Sequence, residues 1–313
     1  MLMSVPPSDS TGSASPPVLG AIHAALRPHF EVIREGAVDI RVRYSARSVH
    51  QVRVCARRLR AGIRLFRRDL AATSGRELAE RLRELLAVLG SARDADVWLD
   101  RLRDRAAAGI LSAHPQWPEV VAREQSRQKR IRAQAAAYLA SPSWQKLSKQ
   151  LECFFAQDLP PPDSQPRLLL PAHACKKLRR QLRPLAARKK PLRPDSADRI
   201  HDFRRACRRA RYWAEFLTPA LGPPGGKLRV ELTAVADALG RLRDADLAVR
   251  QLARRRCWWA GRLRDRAEQQ AAQAERDFNR QWKRFRRDFS KISCVQRAGV
   301  VPPAPLRNRK GNA

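Results

Sequence analysis

His50-Gln-Val-Arg53-Val-Cys-Ala-Arg57-Arg58-Leu-Arg60 returns half a chain later as His201-Asp-Phe-Arg204-Arg-Ala-Cys-Arg208-Arg209-Ala-Arg211, an offset of 201 − 50 = 151 residues. Leu89-Gly-Ser-Ala-Arg93-Asp94-Ala-Asp96 returns as Leu239-Gly-Arg-Leu-Arg243-Asp244-Ala-Asp246, in the same order and at nearly the same offset. Two motifs repeated in register are read as a tandem duplication. Two copies make a two-lobed protein with pseudo-twofold symmetry, because an open solenoid needs three or more short repeats. The matching motifs are expected to face each other or a shared groove.

Periodicity supplies the fold class. At 100° per residue Val52, Ala56, Leu59, Ile63, Phe66 and Leu70 draw one apolar seam along the second helix, read as core. Phe203, Cys207, Ala210, Ala214 and Leu217 repeat it in the second copy. Alternating β-branched stretches are absent, and the remainder is rich in Arg, Leu and Ala, so an all-α protein is expected. Helices are placed at about 18–36, 46–70, 75–107 and 117–156, then at about 170–188, 196–218, 226–254 and 257–290. This gives two four-helix bundles, 18–157 and 171–290, around a basic groove.

Proline marks the ends of the copies. Leu159-Pro-Pro-Pro-Asp-Ser-Gln-Pro166 is a run no helix tolerates, so 158–170 is read as the linker. Residues 1–17 and 291–313 read as tails, the second basic and Pro-containing. Asp195-Ser196 is a candidate cap for the sixth helix, and Leu221-Gly-Pro-Pro-Gly-Gly226 a break after it.

Charge narrows the function. The chain has 313 residues with 64 Lys+Arg against 30 Asp+Glu, a formal charge of +34. Such an excess repels itself and attracts any polyanion: nucleic acid, an anionic membrane surface or a polymeric phosphate. The six cysteines, 55, 153, 175, 207, 257 and 294, form no Cys-x-x-Cys pair and no metal-ligand ladder. They read as small buried hydrophobes in a reducing compartment. No stretch approaches a membrane span or a signal peptide, so an intracellular, cytoplasmic protein is expected.

The cations are placed with purpose. Beside the core seam of the second helix run His50, Arg53, Arg57, Arg60, Arg64 and Arg67, centred roughly 110° away from it. Like charges at i,i+4 are unfavourable, so a repeated cationic stripe at the edge of a groove implies a bound polyanion that offsets the repulsion. His201, Arg204, Arg208 and Arg211 repeat the stripe until Glu215, which is expected to pair with Arg211. The fifth helix adds His173, Lys176, Arg180 and Arg183, and the fourth carries a weaker stripe of Arg123, Arg127 and Arg130.

The histidines open both stripes and are read as ligand-facing donors, whose imidazolium form a polyphosphate field would favour. No nucleophile or acid recurs with them, so no catalytic residue, metal or cofactor is expected. The Arg-Asp-x-Asp motifs are read as ion-pair anchors for groove arginines, because acids two residues apart on a helix point to different sides and make a poor metal site. Aromatic residues are 6% of the chain, and Trp98, Trp213, Trp258, Trp259 and Trp282 sit at core-like positions, so no base-stacking platform is visible.

The pair His-x-x-Arg-Val-x-x-Arg-Arg-Leu-Arg at 50–60 and Ile-His-x-x-Arg-x-x-x-Arg-Arg-x-Arg-Tyr-x-x-Glu-Phe at 200–216, each followed by Leu-Gly-x-x-Arg-Asp-x-Asp, resembles the CHAD family, the conserved histidine α-helical domain. The resemblance covers nearly all of 18–290. It implies paired four-helix bundles around a basic central channel that binds inorganic polyphosphate, with some members targeted to polyphosphate granules. The family's histidines then fall on His50 and His201, and its basic positions on Arg53, Arg57, Arg58, Arg60, Arg204, Arg208, Arg209 and Arg211. Many relatives carry a CYTH triphosphate-hydrolase domain on the same chain. The 17 residues before the first helix leave no room for one, so a stand-alone, non-enzymatic binder is expected. Arg205 departs from the pattern, standing where an apolar residue is usual. The rival reading is a sequence-nonspecific DNA- or RNA-binding architectural protein that puts the same cations on phosphates.

Overall fold

In the computed structural model every described element is an α-helix, as expected. The structure describes residues 16–67, 70, 72–107, 109, 111–156, 172–187, 197–254 and 258–289. The expected linker 158–170, the tail 291–313, residues 1–15 of the N-terminal tail and the Asp195-Ser196 cap lie outside the described residues. The chain divides into two compact units, Met1–Gln165 and Pro166–Ala313.

The first unit contains α1 (Pro16–Val42), α2 (Ala46–Leu65), α3 (Ala72–Ala107), α4 (Trp117–Ala140) and α5 (Pro142–Phe155). Helix α2 packs on α1 and α3, α4 packs on the same two, and α5 closes against α1, α3 and α4. The core seam of α2 is buried as read at Val52, Ala56, Leu59 and Ile63; Phe66 and Leu70 are buried too, but the helix expected to reach 70 ends at Leu65 and they lie beyond it. On the two helices that α2 packs against, Ile22, Leu26, Ile33 and Ile40 of α1 and Leu82, Leu85 and Leu89 of α3 are buried as well, each fully buried side chain contributing about 2 kcal/mol. Gly36 lets α1 and α2 approach closely, since a Cβ there would collide with Val52 Cγ2.

This unit has five described helices where four were expected. The single helix read at 117–156 breaks at Ser141, whose φ of −77° and ψ of 158° are the extended conformation imposed on a residue before proline. Ser141 then caps α5 by accepting from the Trp144 N–H, with Pro142 in the first turn where its missing donor is harmless. The first helix also runs to Val42, well beyond the expected end near 36.

The second unit contains α6 (Ala172–Ala187), α7 (Ala197–Ala253) and α8 (Trp258–Phe289). Helix α7 is broken at Gly222, whose φ of 62° and ψ of −153° suit glycine, so the expected break is a sharp kink between two helical segments. Phe203, Cys207, Ala210, Ala214 and Leu217 are buried, and Phe203 of α7 meets Trp282 of α8 edge-on, where Trp282 stacks with Phe278 and Phe285. Of the cysteines, Cys55 and Cys207 are buried as expected. Cys153 is exposed, because α5 turns it away from the face that buries Trp144, Leu147, Leu151 and Phe155. The side chain of Cys175, with Cys257 and Cys294, lies outside the described residues.

Candidate anion site

The start of α2 is fixed from three directions. Ser45 caps the helix by accepting from the Ser48 N–H at 3.2 Å, and Asp39 at the end of α1 accepts from the Ser48 hydroxyl at 3.4 Å. Tyr44, next to the cap, donates its hydroxyl to Asp96 Oδ2 of α3 at 2.9 Å. These contacts set the rotation of the helix that carries the first cationic stripe.

The members of that stripe then take distinct places. His50 is exposed on the first turns of α2. Arg53 is 8% exposed, and its guanidinium donates to the Leu89 carbonyl of α3 at 2.8 Å. Gly90 makes room for it, since a Cβ there would lie 3.0 Å from Arg53 Nη1. Arg60 donates to the Ala79 carbonyl at 2.9 Å, and Arg64 faces Glu80 at 3.7 Å. Arg57 is half-buried between them, and Arg67 is exposed. The stripe therefore runs along the α2–α3 seam, with several of its cations preset by α3.

Electrostatics reveals a member that the sequence reading assigned elsewhere. The imidazole of His50 is held below its ordinary range first by burial, then by the charges of Arg93, Arg53 and Arg57. Arg93 thus comes from α3 to stand with His50, Arg53 and Arg57, and the two sequence motifs of the first copy converge at one place. Its position in the Arg-Asp-x-Asp motif was legible, but which face of α3 meets His50 is a matter of packing. In the unliganded protein His50 is biased toward neutrality, the opposite of its expected state beside a polyanion.

The acid of that motif corrects the anchoring expectation. Asp96 is 1% exposed and accepts from Tyr44, from Gln128 Nε2 at 3.0 Å and from Arg132 Nε at 3.0 Å. Arg132 stacks over the Tyr44 ring at 4.5 Å. Burial and then Asp96 push the Tyr44 hydroxyl well above its ordinary range, so it serves as a donor. Asp96 therefore anchors α4 and the α1–α2 connection and holds no groove arginine. Beside it, buried Glu124 accepts from Trp98 Nε1 at 3.1 Å.

Arg58, one of the basic positions the resemblance implies, lies on the α1-facing side, where burial and then the Arg58 charge hold His29 down to about 4. In the second unit Arg209 donates to Gln181 of α6 at 2.9 Å and lies over the Trp213 ring at 5.7 Å. Arg204 and Arg208 are half-buried along α7. Arg211 lies over Tyr212 at 4.7 Å and faces Glu215 at 4.0 Å, the expected i,i+4 pair. Arg205 is exposed beside Asp202 at 3.8 Å. The side chain of His201 lies outside the described residues. Asp246, the counterpart of Asp96, is half-exposed and accepts from Arg250 of its own helix at 3.2 Å, so the two copies use the same acid differently.

On α6, Lys176, Arg180 and Arg183 are exposed while Leu178, Leu182 and Leu185 are buried. Neither α2 nor α6 contains an acidic residue. Among the described residues no three His, Cys, Asp or Glu side chains gather as a metal site, and no helix is long and apolar enough to cross a membrane.

Comparison with known proteins bears on the family and the fold. The sequence model of the CHAD domain matches residues 24–253. The fold is similar to the crystal structure of the CHAD domain from the plant Ricinus communis, with 24% identity, a TM-score of 0.57, and 92% of each chain covered. It is also similar to PptA from Streptomyces chartreusis, with 19% identity, a TM-score of 0.62, and 87% of this chain and 100% of the other covered. No curated protein matches the chain. The duplicated histidine-arginine and Leu-Gly-x-x-Arg-Asp-x-Asp motifs, the all-helical fold and the family match over most of its length together establish that the chain belongs to the CHAD domain family.

Proposed function

We propose that the chain binds inorganic polyphosphate without chemically transforming it. The observation that carries this reading is the gathering of Arg93 of α3 with His50, Arg53 and Arg57 of α2, whose charges add to burial in holding the His50 imidazole below its ordinary range. A bound anion offsets the mutual repulsion of such a cluster. Guanidinium forks make charge-assisted bonds to successive phosphates, and a repeating polyanion matches a repeating stripe. His50, Arg57, Arg60 and Arg64 contact the ligand from the first unit, and Arg53 stiffens the stripe from within. His201, Arg204, Arg208 and Arg211 act in the second unit with Lys176, Arg180 and Arg183 of α6, while Arg58 and Arg209 support the helices behind. The family's association with polyphosphate supports the ligand class. The central channel, the pseudo-twofold arrangement of the seams and residence on polyphosphate granules belong to this proposal.

Competitive binding tests it. Labelled long-chain polyphosphate is titrated at physiological salt against wild type and an Arg57→Ala/Arg93→Ala/Arg208→Ala variant, with duplex DNA, RNA and triphosphate as competitors. Polyphosphate is expected to bind tightly, nucleic acids to compete poorly and the variant to lose most affinity, with a steep salt dependence from counterion release. Equal competition by duplex DNA with an unaffected variant refutes the reading in favour of nonspecific nucleic-acid binding.

A further inference from the structure

The stripe on α4 is not part of this site. At 100° per residue Arg123, Arg127 and Arg130 fall within about 60° of one another, on a face of α4 centred about 120° from buried Glu124, Gln128, Ala135 and Leu139. All three are exposed, as is Lys129, which lies next to Arg130 in sequence but off this face. Arg127 has a distant partner in Glu124 at 3.7 Å. Arg123, Lys129 and Arg130 have no ion pair or side-chain hydrogen bond among the described residues. The protein does pair such groups elsewhere: along α8, Arg276 is held by Gln273, Arg280 by Asp277, Arg284 by Glu231 and Arg287 by Asp288.

Packing separates this stripe from the first. Helices α2 and α4 share the neighbours α1 and α3, which sets them at opposite corners of the first unit. Their outward faces point to opposite sides, so a polyanion strand lying along the α2–α3 seam does not also lie along α4. Three unpaired or weakly paired cations, one helical turn or about 5 Å apart, form a convex track complementary to a phosphate chain.

We propose that the outer face of α4 is a second polyphosphate-contact surface, through which one chain holds a second strand and cross-links the polymer. This rests on the polyphosphate reading above and adds its valency. Multivalent contact raises avidity without new affinity at either face.

A two-strand capture assay tests it. Protein is loaded on beads carrying long-chain polyphosphate, washed, and offered fluorescent long-chain polyphosphate in solution. An Arg123→Gln/Arg127→Gln/Arg130→Gln variant, with its helicity checked by circular dichroism, is expected to load within about twofold of wild type while capturing about fivefold less of the second strand. A charge-matched Arg264→Gln/Arg266→Gln/Lys283→Gln control, altered on the exposed face of α8, is expected to capture as wild type does. Undiminished capture by the α4 variant, or equal loss in the control, overturns the proposal. Failure of wild type to load on polyphosphate, with loading on duplex-DNA beads instead, overturns the polyphosphate reading itself and this inference with it.

Discussion

Replacing Asp96 and Asp246 by alanine, one at a time, makes the same change at equivalent positions of the two sequence copies, yet the structure predicts different outcomes. Asp96→Ala removes the acceptor of Tyr44, Gln128 and Arg132 at a carboxylate that is 1% exposed. Two stranded neutral donors cost about 1 kcal/mol each. The Arg132 side chain, 35% exposed and so partly reached by water, adds about 1 kcal/mol, for a total of about 3 kcal/mol. Asp246→Ala removes an i,i+4 pair at a side chain that is 41% exposed, a loss of about 0.5 kcal/mol or less. Hydrogen exchange read separately on peptides of α3–α4 and of α7 measures each unit without assuming that the chain unfolds in one step. Accelerated exchange confined to the first unit in Asp96→Ala, with Asp246→Ala near wild type, is the expected pattern. A loss below about 1 kcal/mol for Asp96→Ala, or equal losses for the two variants, refutes the assignment of Asp96 as a buried anchor.

Other outcomes follow from the same geometry. His50 is held down first by burial and then by the charges of Arg93, Arg53 and Arg57; a bound polyanion offsets those charges, so binding takes up a proton and polyphosphate affinity rises as pH falls through the bound-state pKa of His50. Calorimetry near pH 6 in buffers of different ionisation enthalpy reads this uptake, and His50→Gln is expected to reduce it. Stability has its own pH dependence: His29 is held to about 4 when folded against 6.5 when unfolded, so the unfolded chain takes the proton first. The stability present above pH 6.5 is lost as pH falls toward about 4, by about 2 kcal/mol after allowance for solvent screening, and urea midpoints of His29→Gln are expected to be flatter over that window. Gly90→Ala presses on the guanidinium of Arg53 and is expected to lower the thermal midpoint, whereas Gly240→Ala meets open space and is expected to stabilise its helix by about 0.5–1 kcal/mol.

The sequence by itself determined the class of fold. The steps of three and four that link Val52 to Ile63 mark a helix buried on one side, and the structure buries every one of them. The repetition of two motifs and the excess of positive charge also pointed to the family that the comparisons show. The extra break at Ser141 was written in Ser-Pro, but periodicity on both sides continued through it and concealed it. What a period cannot convey is which neighbour a face meets. Only tertiary packing decided that Arg53 turns to the Leu89 carbonyl, that Arg93 joins His50, and that Asp96 holds α4 while Asp246 holds only its own helix. Two copies of one motif thus carry identical local information, and they diverge because burial, which depends on what packs against them, decides whether a charged group becomes an anchor or remains in solvent.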